Sequence, residues 1–188
     1  MIQNYGCHCF PDYTNKVIGY GMAMDPIDEI CKGLQSCRTC IDIEFPFTEF
    51  DTQQGKYRYT ISEDNQIICD VRNTPEQMAL CECDKQFAIK LGSIWEDSMY
   101  DYSLWYNLAN AREREANGLP VFDRVAECIT NPGPAKDTCC GDDFPNKVPY
   151  YAGSKSCCNN NINAPKAYDP TSSECCSDGS VRFLGNCP

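Results

Sequence analysis

Residues 5–9 read Y-G-C-H-C, residues 31–37 read C-K-G-L-Q-S-C and residues 81–84 read C-E-C-D. With 16 cysteines among its 188 residues, the chain has the composition of a disulfide-stapled protein from an oxidising compartment, so we predict that it is secreted and extracellular. A zinc site is not expected, because residues 37–40 form the only C-x-x-C spacing and His8 is the only histidine, whereas zinc knuckles need such pairs together.

The charge and hydropathy of the chain bear on binding to nucleic acid and to membranes. A net charge of −11 argues against nucleic acid, whose phosphates require a basic surface, and against electrostatic docking on anionic membranes. No apolar run approaches the roughly 20 residues of a membrane-spanning helix. The amino terminus does not read as a signal peptide, so we expect that a targeting segment has been removed.

Two amphipathic helices are predicted around the cysteine segments. Asp25-Pro26, followed by acidic residues in the next turn, is typical of a helix start. A buried stripe at three- and four-residue steps predicts that this helix covers about 26–42, and its members are Ile27, Ile30, Cys31, Leu34, Cys37 and Ile41. Thr74-Pro75 predicts the start of a second helix, with an apolar stripe that continues to Trp95.

The segments beside these helices predict a hairpin and a third helix. Residues 56–61 and 66–70 alternate in polarity around a turn at 62–65, which is typical of a β-hairpin. A further helix is predicted over about 99–117, with Asn117-Gly118 as its carboxyl-terminal cap. Four aromatic residues in this helix either pack in the core or form a protein contact; they are Tyr100, Tyr102, Trp105 and Tyr106.

The composition changes at the N-P-G-P sequence of residues 131–134. Adjacent cysteine pairs follow at 139–140, 157–158 and 175–176, which indicates an internal repeat of about 18 residues. Because this part has few aliphatic residues for a core, disulfides must hold it in shape. We therefore predict a first domain over 1–130 and an irregular, cysteine-stapled tail over 131–188.

The cysteine segments of the first domain resemble the secreted phospholipase A2 family. In that family a Y-G-C-x-C loop holds calcium, one helix reads C-C-x-x-H-D-x-C and a second reads C-x-C-D. The resemblance covers about residues 5–128. It implies a mainly α, disulfide-rich fold with a pair of antiparallel helices and a small β-hairpin. The tail resembles the double-cysteine repeats of galaxin-like proteins, which are extracellular and biomineral matrix components.

The resemblance also implies that the active site is degenerate. In the family a histidine activates water, an aspartate orients the histidine, and a second aspartate holds calcium together with loop carbonyls. Leu34 stands at the position of the histidine and Gln35 at that of the calcium aspartate, while only Asp84, the orienting residue, is retained. We therefore expect no catalytic residue, no metal site and no cofactor, calcium included, because calcium prefers carboxylate ligands.

Phe10-Pro11, His8 and Asp84 complete the comparison with the family site. Phe10-Pro11 interrupts the glycine-rich part of the family loop. His8 is expected to be a packed or exposed filler and not a substitute base. Asp84 is expected to anchor the helix pair through hydrogen bonds with Tyr57 or Tyr59.

Disulfide pairing of the family type would join Cys9–Cys31, Cys37–Cys83, Cys69–Cys81 and Cys7–Cys128. One further family bridge is lost as a whole, since its two positions are Ile30 and Lys90. The remaining cysteines permit two arrangements: a single bridge from Cys40 to the tail, or bonds from Cys40 and one tail cysteine to neighbouring chains. These cysteines are Cys40, Cys139, Cys140, Cys157, Cys158, Cys175, Cys176 and Cys187.

The function predicted from these patterns is non-enzymatic: a pseudo-phospholipase A2 that serves as a structural, self-assembling component of an extracellular matrix or filament, in the manner of biomineralisation proteins. Its partners would be further copies of itself or other matrix proteins, with lipid as a further candidate. Only Met1 to Asn4 precede the loop, so we expect open apolar surface around Leu34, and Leu34 with the four aromatic residues of 99–117 is the candidate assembly surface. The alternative is a lipid-binding or regulatory subunit of a secreted phospholipase-like complex, and the third possibility is an active calcium-dependent phospholipase A2.

Overall fold

The computed structural model describes residues 5–9, 21–46, 56–95, 115–116, 118, 128, 133–161 and 164–188. Within these ranges there are two helices and eight strands of three residues each. The helices are α1 (Pro26–Glu44) and α2 (Pro75–Trp95); the strands are β1 (Tyr59–Ile61), β2 (Ile67–Cys69), β3 (Thr138–Cys140), β4 (Val148–Tyr150), β5 (Ser156–Cys158), β6 (Lys166–Tyr168), β7 (Ser173–Cys175) and β8 (Val181–Phe183).

The chain divides into two compact units. The first unit comprises Met1–Gln35 with Phe87–Gly133, and the second comprises Ser36–Gln86 with Pro134–Pro188. Each helix therefore contributes residues to both units. The domain boundary at about residue 130, and the antiparallel orientation of the helix pair, stay predictions.

In the first unit, α1 begins where the sequence predicts. The side chain of Asp25 accepts a hydrogen bond from the Asp28 N–H at 2.9 Å, so Asp25 caps the first turn. Ile27 and Cys31 are buried in one cluster with Tyr5 and Cys9. Three residues of α2 pack against this cluster, and they are Phe87, Leu91 and Ile94.

In the second unit, the predicted hairpin and the start of α2 are both confirmed. Strands β1 and β2 pair antiparallel, and Asn65 in the turn has a φ of 58°, a left-handed conformation that asparagine tolerates. At the start of α2 the Thr74 N–H donates to Gln77 Oε1 at 3.1 Å, which is half of a capping box. The disulfides Cys69–Cys81 and Cys37–Cys83 tie β2 and α1 to this helix.

The tail is regular, and the prediction of an irregular tail is wrong. Its strands form three antiparallel hairpins, β3–β4, β5–β6 and β7–β8, one for each cysteine pair. The second cysteine of each pair is buried, and it bonds to the first cysteine of the next pair or, in the last hairpin, to Cys187. We call this chain of bridges, Cys140–Cys157, Cys158–Cys175 and Cys176–Cys187, the disulfide ladder. Strands of three residues are too short to show the alternation that predicts a strand.

The predicted class is confirmed in part. The chain is rich in disulfides, with two long helices and small antiparallel strand pairs, and this is consistent with a secreted protein. The term mainly α is not confirmed, because eight strands accompany the helices. In the part of the chain that the structure describes, neither helix is long and apolar enough to cross a membrane.

The predicted helix over 99–117 lies almost wholly outside the described residues. At its far end the Gly118 N–H donates to the Glu115 carbonyl at 3.1 Å, and Gly118 has a φ of +66°. Both features agree with the glycine of a carboxyl-terminal helix cap. Tyr100, Tyr102, Trp105 and Tyr106 lie outside the described residues.

Candidate functional site

The Tyr5–Cys9 loop is built around the carboxylate of Asp28 on α1. Asp28 is 0% exposed; its Oδ1 accepts from the His8 N–H at 2.6 Å and its Oδ2 from the Met24 N–H at 3.0 Å. These hydrogen bonds stabilise a buried charge that would otherwise be costly. Sequence reasoning used Asp28 only as an acidic residue of a helix start and missed this role.

Gly6 allows the loop to approach Asp28 closely. Its φ is +56°, and a Cβ at this position would lie 2.5 Å from Asp28 Oδ1. The hydroxyl of Tyr5 donates to the Asp25 carboxylate. Disulfides to Cys128 and Cys31 hold Cys7 and Cys9, the two neighbours of His8. The loop is therefore fixed by covalent bonds on both sides of His8.

Gln35 contacts His8 at two points. Its Nε2 donates to the His8 carbonyl oxygen, and its Oε1 lies 3.5 Å from His8 Nδ1. His8 is 3% exposed, so its ring is packed. Among the described residues, its Nε2 has no hydrogen-bond partner. Gln35 therefore links α1 to the loop through an amide group.

Gln35 and Asp28 bear on the expectation that this loop holds no calcium. Calcium takes six to eight oxygens, carboxylates among them. Gln35 contributes a neutral amide, and that amide already donates to the His8 carbonyl. The nearby carboxylate, Asp28, accepts two backbone N–H groups through its two oxygens. Phe10-Pro11 lies outside the described residues.

In the second unit, Asp84 is held by two side chains. Its Oδ1 accepts from Arg38 Nη2 at 2.8 Å, and its Oδ2 accepts from the Tyr57 hydroxyl at 3.0 Å. Burial, and then the charge of Asp84, raise the pKa of Tyr57 well above its ordinary value, so the phenol remains a donor. The structure thus gives Asp84 the Tyr57 partner that the sequence predicts, while Tyr59 is exposed.

The cysteines form eight disulfides within the chain. Four of them are the pairs that the resemblance implies: Cys9–Cys31, Cys37–Cys83, Cys69–Cys81 and Cys7–Cys128. Cys40 bonds to Cys139, which is the single bridge to the tail considered above. No cysteine is free, so none is left for a bond to a neighbouring chain.

Leu34 is half-buried on α1. It has an aliphatic side chain and can neither accept nor donate a proton. The other four residues of the candidate assembly surface lie outside the described residues, so that surface stays a prediction.

Comparison with known proteins finds relatives of one kind. No family model matches the chain. It is 30% identical over 86 residues to basic phospholipase A2 nigroxin A of Micrurus nigrocinctus, covering 46% of this chain and 64% of the relative. It is 30% identical over 103 residues to acidic phospholipase A2 5 of Trimeresurus stejnegeri, covering 55% and 71%. It is 32% identical over 87 residues to basic phospholipase A2 homolog acutohaemolysin of Deinagkistrodon acutus, covering 46% and 53%. The chain thus spans less than two thirds of the length of the first and third of these relatives.

Proposed function

This chain belongs to the phospholipase A2 family, and from that premise we propose that it is a non-catalytic member that works outside the cell as a structural or partner-binding protein. The observation that carries the proposal is the contact of Gln35 with His8. At the position where the family resemblance expects the calcium carboxylate, an amide donates to a carbonyl of the loop.

This contact supports a loop that holds its shape without calcium. An amide N–H and a cation cannot use the same carbonyl lone pair at once, and the amide belongs to the chain itself. Gln35 therefore joins the loop to α1, as a bound cation would, but it supplies no positive charge. Under this proposal the loop neither binds calcium nor polarises an ester carbonyl.

Leu34 supports the proposal independently. General-base catalysis needs a group that accepts a proton within hydrogen-bond reach of the attacking water. An aliphatic side chain cannot do this, and Asp84, the retained residue of the family set, is engaged by Arg38 and Tyr57. Asp84 then serves as a structural anchor of the second unit.

The finer role that we propose is assembly in an extracellular matrix or filament. The disulfide ladder supports it, because each hairpin is covalently bonded to the next and such bridges stabilise a small extracellular domain. All cysteines are paired within the chain, so this assembly would be non-covalent, through surfaces such as the one around Leu34. The galaxin-like character of the tail and a link to biomineral belong to the same proposal.

The test of the central claim is release of fatty acid from phospholipid micelles, with and without calcium. We expect no calcium-dependent release above background, and no change in Asp84→Asn. Calcium-dependent release that is lost in Asp84→Asn would overturn the proposal.

Calorimetry with calcium chloride tests the loop directly. The native chain is expected to show no saturable heat, while Gln35→Asp is expected to gain weak binding, because it returns a carboxylate to the site. Native binding that disappears in Gln35→Ala contradicts the proposed role of the loop. Lipid that copurifies with the native chain would favour the lipid-binding alternative over assembly.

A further inference from the structure

A basic cleft lies beside the β1–β2 hairpin in the second unit. Its volume is about 410 Å³, and its lining consists of Lys56, Tyr57, Arg58, Arg72, Thr74 and Gln77. Three of these six residues are cationic, in a chain whose net charge is −11. This volume falls within the range of small-molecule sites, roughly 300–1,000 Å³.

The cationic charge of the cleft is only partly neutralised. Arg72 is paired with Asp70, with Nη2 to Oδ2 at 2.5 Å and Nε to Oδ1 at 2.9 Å. These hydrogen bonds hold the pKa of Asp70 well below its usual range, so the carboxylate stays charged. Among the described residues, neither Lys56 nor Arg58 forms an ion pair. In the part of the chain that the structure describes, the Arg72–Asp70 pair is therefore the one ion pair that these three cations form, while Asp84, which accepts from the lining residue Tyr57, is paired with Arg38.

The backbone places Arg58 beside Arg72. The Arg58 N–H donates to Asn73 Oδ1 at 2.8 Å, and Asn73 Nδ2 donates to the Arg58 carbonyl at 2.8 Å. The Asp70 N–H donates to the same carbonyl at 3.1 Å. These bonds fix the backbone of Arg58 beside Asp70 and Asn73 and leave its exposed guanidinium available to a ligand.

Neutral donors complete the lining. Thr74 and Gln77 stand at the start of α2, where the aligned peptide dipoles favour negative charge. Gln77 Oε1 accepts from the Thr74 N–H, so the Thr74 hydroxyl and Gln77 Nε2 are the groups that can hydrogen-bond to the hydroxyls of a sugar ring. The cleft therefore combines cations for an anionic group with neutral groups for a hydroxylated one.

We propose that the basic cleft binds a phosphate or sulfate ester carried on a sugar. Guanidinium groups match the oxygens of such tetrahedral anions through paired N–H donors, and the volume leaves room for the ring. A lipid phosphate within an anionic membrane is the less favoured source, because the charge of the whole chain is repelled from such a surface. Neither Leu34 nor Gln35 lines the cleft. The proposal for the cleft can therefore be tested independently of the proposed loss of catalysis.

Calorimetry on the full chain at low salt tests this with glucose 6-phosphate, glucose 6-sulfate and glucose. Inorganic phosphate and vesicles containing phosphatidic acid are measured as the competing ligands. We expect saturable binding of both esters with a Kd of about 1 mM or tighter and none of glucose. Added sodium chloride should weaken binding, because the cations are exposed. Arg58→Ala should weaken it by about fivefold or more, and Arg182→Ala, an arginine of β8 outside the cleft, should leave it unchanged.

Arg58→Ala keeps the backbone bonds of residue 58, so the variant should fold, and Lys56→Ala gives a second, independent loss. Equal binding by the native chain, Arg58→Ala and Lys56→Ala would overturn the site. Binding of inorganic phosphate as tight as that of the sugar esters would overturn the sugar part of the proposal. Binding confined to vesicles containing phosphatidic acid would assign the cleft to a membrane and overturn it as well.

Discussion

At the scale of single residues, Asp28 and Gln35 define the Tyr5–Cys9 loop. Asp28 is a fully buried carboxylate whose oxygens accept two backbone N–H groups. Gln35 adds a hydrogen bond to the His8 carbonyl. Both side chains come from α1, so this helix supplies the side-chain hydrogen bonds of the loop beside the disulfides of Cys7 and Cys9. The loop has this shape although the residues at positions 34 and 35 are proposed to have lost the catalytic and calcium-binding groups.

Gly6 provides a test of that arrangement. Gly6→Ala should lower the free energy of unfolding by roughly 1–3 kcal/mol, because a positive φ strains alanine and the new Cβ would clash with Asp28. Urea unfolding with the disulfides intact measures the change. Gly33→Ala is the matched control: Gly33 lies within α1 with nothing within 4 Å of its added Cβ, so alanine should stabilise the helix by about 1 kcal/mol or less. Equal effects in the two variants would contradict the role given to Gly6.

At the scale of elements, the tail depends on its covalent bonds. A two-stranded hairpin is at best marginally stable alone, and each tail strand has only three residues. The ladder joins successive hairpins, and Cys40–Cys139 fastens the first of them to α1. Lys147 supports this attachment, since its Nζ lies 2.5 Å from the Glu44 carboxylate of the same helix.

Removal of the Cys40–Cys139 bridge should therefore act on the first hairpin. The double variant Cys40→Ala/Cys139→Ala is expected to lose about 2–4 kcal/mol of stability. Hydrogen exchange followed by mass spectrometry should show faster exchange in β3–β4, while β5–β6 and β7–β8 keep their protection through the ladder. The double variant Cys176→Ala/Cys187→Ala is the control, with its effect confined to β7–β8. Loss of protection over the whole tail in the first variant would show that the hairpins do not act as separate units.

At the scale of the whole molecule, the pairing of every cysteine decides how the chain can associate. Sixteen cysteines form bridges within the chain and none is free. Association of copies would then depend on non-covalent surfaces, and a reductant would act on it only by unfolding the chain.

Mass spectrometry and thiol labelling measure this property. The native chain should be lighter than the fully reduced chain by sixteen hydrogens, since all sixteen cysteines are bonded, and no thiol should react under denaturing conditions. On a non-reducing denaturing gel the chain should run as a monomer. A reductant-sensitive dimer, or one reactive thiol, would instead support the alternative in which Cys40 bonds to a neighbouring chain.

The sequence by itself determined the features that depend on local order. The starts of α1 and α2 follow from Asp25-Pro26 and Thr74-Pro75, because caps and prolines act within one turn. The β1–β2 hairpin follows from alternation around a turn. The spacing of the first nine cysteines, compared with the phospholipase A2 pattern, implied four of the pairs that the structure contains. It left the partner of Cys40 open between a tail cysteine and a neighbouring chain, and the structure joins it to Cys139.

Only the tertiary structure decided the contacts between residues that are distant in the chain. The burial of Asp28 beneath the loop and the hydrogen bond from Gln35 to His8 each unite segments whose sequences carry no sign of the other. The tail shows the same limit, since its three-residue strands are too short to have a readable period. Local propensity acts over one turn or one strand, whereas the hydrogen-bond partners of a buried carboxylate come from segments that only the fold brings together.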